Sequence, residues 1–199
     1  MIRTQIDLTE DFYNLYPFPQ CSDEEIINRA RTFKRNNPEL AIEDSIDVLD
    51  AGCGTGTFSN QFALFNPKSK VYALNISQSS IDYAESQANR LSLKNIEYIR
   101  GSLFDIKNIF EGRKFDFIYS QGVLHHTPRP MLGLKTLIDA LKPGGVISIG
   151  LYHLGRYPIY FKRKLLDILV GKKNFEGRLN LAKKIFPRGY ESQIRGGES

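Results

Sequence analysis

Three glycines at alternate positions follow an apolar segment near residue 50. Gly52, Gly54 and Gly56 come directly after the apolar run 46–50, and a pattern typical of a helix begins at Thr57. Glycine allows a backbone to adopt conformations closed to other residues and to approach a ligand closely. The pattern therefore predicts a strand, a ligand-binding turn and a helix, with a nucleotide-like ligand at the turn.

Two other nucleotide-binding motifs fit this turn less well. A dinucleotide fingerprint, G-x-G-x-x-G/A counted from Gly52, requires glycine or alanine where Thr57 stands. A phosphate-binding P-loop ends in Gly-Lys-Ser/Thr, and this turn does not. A turn that only joined a strand to a helix would need one or two glycines rather than three. All three alternatives are therefore disfavoured.

Two adjacent histidines, His125 and His126, follow the fourth apolar segment. An imidazole has an ordinary pKa of about 6.5, so it can deprotonate a substrate hydroxyl near neutral pH. A loop histidine that hydrogen-bonds the backbone is an equal alternative. The sequence has three histidines, and no cysteine or carboxylate stands at metal-ligand spacing from this pair. We therefore predict His125 and His126 as candidate catalytic residues and expect no metal site.

Short apolar segments alternate with amphipathic helical segments from residue 46 onward. The predicted strands are 46–50, 70–75, 96–100, 115–120 and 145–151, and the predicted helices between them are 57–65, 78–91 and 131–141. Such alternation predicts an α/β fold, Rossmann-like and doubly wound, with a mainly parallel sheet and helices on both faces. In such sheets a ligand binds at the carboxyl ends of the strands, where the strand order reverses.

The glycine turn resembles the first motif of class I S-adenosylmethionine (SAM)-dependent methyltransferases, and four further segments continue the likeness. The first motif is Asp50-Ala51-Gly52-Cys53-Gly54-Thr55-Gly56. Segments similar to the second strand, the adenine-side loop, the fourth strand with its continuation, and the entry to the fifth strand follow in order at 71–77, 101–105, 115–127 and 141–151. The likeness covers about 46–153 and is closest to the small-molecule branch, which includes quinone and natural-product methyltransferases.

This resemblance implies SAM as the cofactor and a set of cofactor-binding residues. They are Asp50, Gly52, Cys53, Gly54, Asn75, Ile76, Ser102, Leu103 and Gln121. Asn75 stands where relatives usually have a carboxylate that holds the ribose hydroxyls. We expect binding to be retained, because an amide can accept from one hydroxyl and donate to the other. Ser102 stands where many relatives have an aspartate beside the adenine amino group, and Asp105 is the alternative partner.

Several of these assignments leave a packing role open. Ile76 and Leu103 would enclose the adenine ring, but either side chain can instead belong to the core. Weaker candidates for the acceptor site are Tyr13, Tyr16, Tyr152 and Arg156, each with packing as an equal alternative.

The flanking segments are predicted to differ from the core, which spans 46–154. Residues 1–45 form an N-terminal strap and helix: the first 20 residues are predicted to be irregular, and Ser22 with Glu25 forms a capping box for a helix over 23–34. Residues 155–199 form a basic extension with helices at 158–170 and 176–186. The resemblance implies two further strands, which this sequence does not predict. We therefore expect the edge of strand five to be covered by the C-terminal helices, by a partner chain, as in a homodimer, or by residues beyond this sequence.

Composition and charge limit the class of protein. Hydrophobic residues make up 41% and charged residues 25% of 199 residues, as in an ordinary globular domain. The sequence has no apolar run long enough to span a bilayer and no signal-like start, so a cytoplasmic location is expected. Both cysteines are expected to be free thiols. The net charge of +5 divides into −2 over residues 1–154 and +7 over residues 155–199. A solvated helix face is a more ordinary explanation of the basic tail than a nucleic-acid partner.

Three functions remain open at the level of the sequence. The first is transfer of a methyl group from SAM to a small-molecule acceptor. The second is an RNA or protein methyltransferase that the basic tail recruits to its substrate. The third is a catalytically silent SAM-binding domain. No nucleophilic triad or carboxylate pair is needed for the first two, since methyl transfer from a sulfonium depends mainly on positioning the acceptor.

Overall fold

The computed structural model describes residues 5–36, apart from 16 and 18, and residues 45–151. The chain divides into two compact units, Met1–Leu151 and Tyr152–Ser199, and the described residues lie in the first. The acceptor-site candidates Tyr16, Tyr152 and Arg156 lie outside the described residues, as do the two predicted C-terminal helices.

Five strands are present in the described part of the chain. They are β1 (Asp47–Ala51), β2 (Lys70–Asn75), β3 (Ile96–Arg100), β4 (Phe115–Gln121) and β5 (Leu141–Gly150). The helices are α1 (Gln5–Leu15), α2 (Asp23–Asn36), α3 (Thr57–Phe65), α4 (Gln78–Arg90), α5 (Ile106–Ile109) and α6 (Pro130–Asp139). Two 3₁₀ turns, Leu103–Asp105 and Leu124–His126, follow β3 and β4.

These strands form one parallel sheet in the order β3-β2-β1-β4-β5. Val48 of β1 pairs with Val71 of β2 on one side and with Phe117 of β4 on the other. The strand order reverses beside β1, because β2 and β3 lie on one side of β1 and β4 and β5 lie on the other. The crevice predicted for a ligand therefore lies at the carboxyl ends of β1 and β4.

Helices pack on both faces of the sheet, as the sequence pattern predicted. Val48 packs with Ala63 of α3 on one face. Leu49, the next residue of β1, packs with Leu137 of α6 on the other face. Val48, Leu49 and Leu137 are fully buried. Consecutive residues of β1 thus face opposite sides of the sheet. Helices on both faces therefore pack against the strand that leads into the glycine turn.

The prediction of an irregular N-terminal segment was wrong over Gln5–Leu15, which forms α1. A proline restricts only the residue directly before it, so Pro17 leaves the backbone through Leu15 free to be helical. Ser77, the residue before α4, and Ser79 within it both donate their hydroxyls to Asn14. These contacts fix the carboxyl end of α1 beside the start of α4.

The capping box predicted at Ser22 is confirmed at the start of α2. The amide of Ser22 donates to Glu25 Oε2 at 2.7 Å, and the amide of Glu25 donates to Ser22 Oγ at 3.1 Å. Two amides at the start of the helix are thereby satisfied by side chains three residues apart.

Strand β5 begins four residues earlier than the sequence indicated. Leu141 already pairs with Phe115, and a register shift between Phe115 and Phe117 accommodates the residues before Val146. The Pro-Gly-Gly segment within this stretch indicates the end of a helix when the sequence is read alone, but here it lies inside an irregular strand. In the described ranges, no helix is both long enough and apolar enough to cross a membrane.

Candidate active site

The three glycines of the turn all have a positive φ. The values are +87° at Gly52, +55° at Gly54 and +75° at Gly56, in the region that side chains disfavour. A Cβ on Gly52 would lie 2.4 Å from a methyl group of Val123, and one on Gly56 would lie 2.7 Å from the Cβ of Ala84. Both the backbone conformation and the close packing therefore require glycine in this turn.

The end of β2 holds the turn in place. The amides of Gly52 and Cys53 both donate to the carbonyl of Leu74, at 2.8 and 3.0 Å. The side-chain Nδ2 of Asn75 donates to the carbonyl of Gly54 at 3.2 Å. Its Oδ1 has one long contact within the described residues, 3.5 Å, with the amide of Ser77. One half of the Asn75 amide thus fixes the turn, and the other half is suited to accept from a ribose hydroxyl.

We predict opposite effects of Asn75→Asp on cofactor affinity and on stability. A carboxylate accepts more strongly from two hydroxyls, so SAM should bind at least as tightly as in the wild type. The variant loses the donor to Gly54, so the ligand-free protein should be less stable by about 1 kcal/mol. Calorimetric titration and thermal melts measure the two quantities. Weaker binding of SAM by Asn75→Asp, approaching that of Asn75→Leu, would contradict the ribose assignment.

Asp50 lies behind the turn with its carboxyl group buried. The residue is 2% exposed, and Ser59 Oγ of α3 donates to its Oδ2 at 2.5 Å. Burial raises the pKa of Asp50 to about 7, and the hydrogen bonds from Ser59 oppose this rise. A carboxyl group with this pKa changes its charge near neutral pH. The neighbouring Cys53 is buried, and burial raises the pKa of its thiol well above its ordinary value.

The predicted adenine side combines a capped turn with a core residue. Ser102 Oγ accepts from the amide of Phe104 at 3.3 Å and caps the 3₁₀ turn Leu103–Asp105. Leu103 is buried in the main apolar cluster with Leu124 and Leu137. Packing therefore accounts for Leu103 in the described structure, and its contact with adenine stays a prediction. Ile76 is half-buried and accepts through its carbonyl from Arg100 Nε at 3.3 Å.

Gln121 ends β4 with its side chain directed across β5. Its Nε2 donates to Ser148 Oγ at 3.1 Å. A Cβ at Gly150 would lie 1.6 Å from Gln121 Oε1, so the glycine makes room for this side chain. The predicted contact of Gln121 with the methionine part of SAM involves its backbone, which these side-chain bonds leave unaffected.

The two histidines lie two and three residues after Val123, the residue that packs against the turn. Val123 contacts Gly52, and the amide of His126 donates to the carbonyl of Val123 at 2.9 Å. The rings of His125 and His126 are 4.2 Å apart at an angle of 51°. Both ring nitrogens of His125 are buried. The 3₁₀ turn that carries the histidine pair is therefore connected to the glycine turn through Val123, a residue that the sequence did not single out.

The N-terminal segment also reaches the turn. Thr55 Oγ1 donates to the carbonyl of Pro19, and Cys21 Sγ lies 3.6 Å from Thr57 Oγ1. Tyr13, on α1, is half-buried, and its carbonyl accepts from Ser79 Oγ at 3.4 Å. Cys21 and Cys53 are both free thiols, as predicted, and both are buried. Nowhere in 5–36 or 45–151 do three potential metal-ligating side chains of His, Cys, Asp or Glu form a group.

A parallel sheet in this order, with a glycine turn after its first strand at the switch point, is the fold expected of a class I SAM-dependent methyltransferase. The chain belongs to the methyltransferase domain family, whose model matches residues 42–173. SAM is accordingly its cofactor. The residues present fit it, since the turn has no side chains at three positions, Asn75 offers an acceptor for the ribose, and Asp50 places a carboxyl group behind the turn.

Relatives of this chain act on different kinds of acceptor. A demethylmenaquinone methyltransferase from Lactococcus lactis is 31% identical over 134 residues, which cover 66% of this chain and 50% of that protein. A tRNA U34 carboxymethyltransferase from Nautilia profundicola is 34% identical over 114 residues, which cover 56% and 36%. The chain thus spans half or less of the length of these relatives.

A solved structure has a similar fold. The crystal structure of magnesium protoporphyrin IX methyltransferase from Synechocystis, with bound SAM, matches this chain with a TM-score of 0.52 at 18% identity. The match covers 71% of this chain and 74% of that protein. At this identity the likeness concerns the fold.

Proposed function

We propose that this chain transfers a methyl group from SAM to a small-molecule acceptor whose hydroxyl or other acidic group is deprotonated at the site. The observation that carries this proposal is the position of His125 and His126, two and three residues after Val123, the residue that packs against the glycine turn. A base beside the cofactor turn suits an acceptor that must lose a proton as it gains a methyl group.

The residues of this chain have three tasks in such a reaction. The glycine turn and Asn75 bind and orient the cofactor, whose sulfonium supplies the methyl group and leaves as a neutral thioether. One imidazole accepts the proton of the acceptor. The N-terminal segment around Pro19, whose carbonyl accepts from Thr55, excludes water from the glycine turn. Positioning of this kind supplies most of the rate enhancement in a transfer that needs no covalent intermediate with the protein.

Two observations support a small-molecule acceptor over a polyanion. Residues 1–154 carry a net charge of −2, so the unit that holds the cofactor turn offers no general attraction for nucleic acid. The Lactococcus relative, a demethylmenaquinone methyltransferase, matches more of this chain than the tRNA U34 carboxymethyltransferase does.

A panel of small acceptors tests this proposal. Purified protein and SAM are incubated with phenols, quinols, carboxylic acids and amines, and release of S-adenosylhomocysteine is measured. Turnover above the no-acceptor background with at least one phenol or quinol is expected. Absence of turnover with every small acceptor, together with methylation of RNA, would overturn the proposal.

An RNA acceptor is the second candidate, favoured by the net charge of +7 over residues 155–199 and by the tRNA-modifying relative. Binding through such a tail would weaken steeply with salt, because each phosphate contact releases a counterion. Titration of fluorescent RNA at several salt concentrations distinguishes the two candidates. A strong salt dependence accompanied by RNA methylation would favour this second function.

We predict that one of the two histidines assists deprotonation of the acceptor. Replacing that histidine by alanine should lower kcat by about 10²-fold or more and remove the rise of kcat with pH, with little change in SAM affinity. Alanine variants of His125 and His126 are assayed across pH with an accepted substrate. An unchanged kcat and pH profile in both variants would assign the pair a structural role.

A further inference from the structure

Helix α4 holds the N-terminal segment at several points along its length. Before its first turn, Ser77 contacts Asn14. Farther along, Tyr83 and Gln87 contact Cys21, and Arg90 forms an ion pair with Asp23 at 2.7 Å. The chain between Asn14 and Asp23 is therefore held to one helix at both ends. We call Pro19–Cys21, the part of it that reaches the glycine turn, the cover segment.

Two side chains of α4 converge on one backbone atom of the cover segment. Gln87 Nε2 donates to the carbonyl of Cys21 at 2.7 Å, and the hydroxyl of Tyr83 donates to the same carbonyl at 3.1 Å. A carbonyl oxygen has two lone pairs, so both bonds can form together. Cys21 is 3% exposed, which means that its carbonyl depends on these donors rather than on water.

A buried network fixes the orientation of Gln87. Its side chain is 1% exposed, and Asn60 Nδ2 donates to its Oε1 at 3.0 Å. The hydroxyl of Tyr98 in turn donates to Asn60 Oδ1. Because Oε1 accepts from Asn60, the Nε2 of Gln87 must face the opposite direction, toward Cys21. The direction of the donor is thus determined by residues of α3 and β3.

The cover segment contacts the cofactor turn on its other side. Thr55, within the turn, donates its hydroxyl to the carbonyl of Pro19. Thr57, at the start of α3, lies against the thiol of Cys21. Thr55 is 1% exposed although it belongs to a ligand-binding turn, because the cover segment lies over it.

We propose that Tyr83 and Gln87 are positioning residues for the cofactor, which act by holding the cover segment against the glycine turn. Neither side chain belongs to the predicted cofactor-binding set. Their loss should free the segment, expose the turn to water and speed release of the cofactor. The proposal concerns the cofactor and is independent of the acceptor class proposed above.

The variants Tyr83→Phe, Gln87→Met and the double variant test this role. Each single change removes one donor to Cys21 at nearly constant volume. We expect the dissociation rate of SAM to rise about threefold in Tyr83→Phe and about tenfold or more in the double variant, since a single hydrogen bond contributes a factor of this order. The rate is measured by displacement of radiolabelled SAM with excess S-adenosylhomocysteine.

Alkylation of Cys21 reports the cover segment directly. In the wild type its buried thiol should react slowly with a maleimide, and in the double variant the rate should rise by about tenfold. Mass spectrometry distinguishes modification at Cys21 from modification at Cys53. Faster alkylation of Cys21 with an unchanged SAM dissociation rate would overturn the proposal, because the segment would then be free without any effect on the cofactor.

Asn95→Ala is the matched control for general destabilisation. Asn95 Nδ2 donates to the carbonyls of Ala63, Asn66 and Ser69, each at 3.0 Å, just before β3 and so at the opposite end of the sheet from the turn. This variant should melt at a lower temperature and retain the wild-type SAM dissociation rate. A rise in that rate equal to the rise in the double variant would also overturn the proposal. If Gln87→Met fails to fold, Tyr83→Phe decides, since it removes one hydroxyl from a half-buried ring.

Discussion

Gly54→Val is expected to lower the affinity for SAM by more than 100-fold while the protein remains folded. Gly54 has a φ of +55°, and a β-branched side chain pays a conformational cost there. With SAM bound at this turn as proposed, the added methyl groups would also compete with the cofactor for space. The carbonyl of Gly54 is held by Asn75, so a shift of the backbone to relieve the strain would break that bond. Calorimetric titration with SAM measures the loss.

Gly112→Val separates the loss of a ligand site from backbone strain. Gly112 has a φ of +78°, and a Cβ placed there meets nothing within 4 Å. It lies between α5 and β4, at the amino end of the sheet. This control should lose stability to a similar extent and bind SAM normally. Equal affinities of Gly54→Val and wild type would show that the cofactor binds elsewhere, and a loss in both variants would trace the effect to the fold.

The sheet could be predicted from the sequence because its signals are local. A parallel strand buried on both faces is a short apolar run, and β1 to β4 fall within one residue of the predicted bounds at their ends. The glycine turn was equally visible, since its three glycines stand at alternate positions. The start of β5 was missed because Pro143 and Gly144 indicate the end of a helix when only their neighbours are considered. The pairing of Leu141 with Phe115 instead depends on a strand 26 residues earlier.

The partners of the site residues could not be predicted, since they come from distant parts of the chain. Ser59 is a good partner for Asp50 only because the turn brings α3 back over β1. The bond between Gln87 and Cys21 joins residues 66 positions apart. Helix α1 was missed for a similar reason, because distant residues, Ser77 and Ser79, hold its carboxyl end through Asn14.

Leu103 illustrates a different limit of sequence reasoning. A leucine after the third strand fits an adenine contact and a core position equally well. Its burial with Leu124 and Leu137 depends on α6, which packs against the 3₁₀ turn that contains Leu103. Hydrophobicity alone does not distinguish a ligand-facing side chain from one that faces a helix.

Asp50→Asn is expected to stabilise the ligand-free protein at pH 8 and to weaken its binding of SAM. The folded protein has a pKa of about 7 at Asp50, against an ordinary 3.8, so between these values it binds more protons than the unfolded chain. Its free energy of unfolding therefore falls as the pH rises from about 4 to 7, by on the order of 4 kcal/mol at most. Asparagine is neutral and keeps an acceptor for Ser59, so the variant should lack this decline. Urea unfolding at several pH values measures the free energy of unfolding of both proteins.

The same ionisation should link cofactor binding to pH. SAM carries a sulfonium and an amino group, and a cation near Asp50 favours the ionised carboxylate and lowers its pKa. The affinity of the wild type for SAM should therefore rise about tenfold between pH 5.5 and 8.5, with release of a proton on binding. S-adenosylhomocysteine lacks the sulfonium charge and should show a smaller rise. Calorimetric titration in buffers of different ionisation enthalpy measures the number of protons released when SAM binds.

Two variants decide whether Asp50 is the group responsible. Asp50→Asn should bind SAM with an affinity that no longer depends on pH in this range. Asp82→Asn, which removes an exposed carboxylate from α4, should behave like the wild type in both stability and binding. A wild-type pH dependence that survives in Asp50→Asn would assign the titration to another group. Loss of stability in Asp50→Asn at pH 8 would show that the charged carboxylate contributes more through Ser59 than its burial costs.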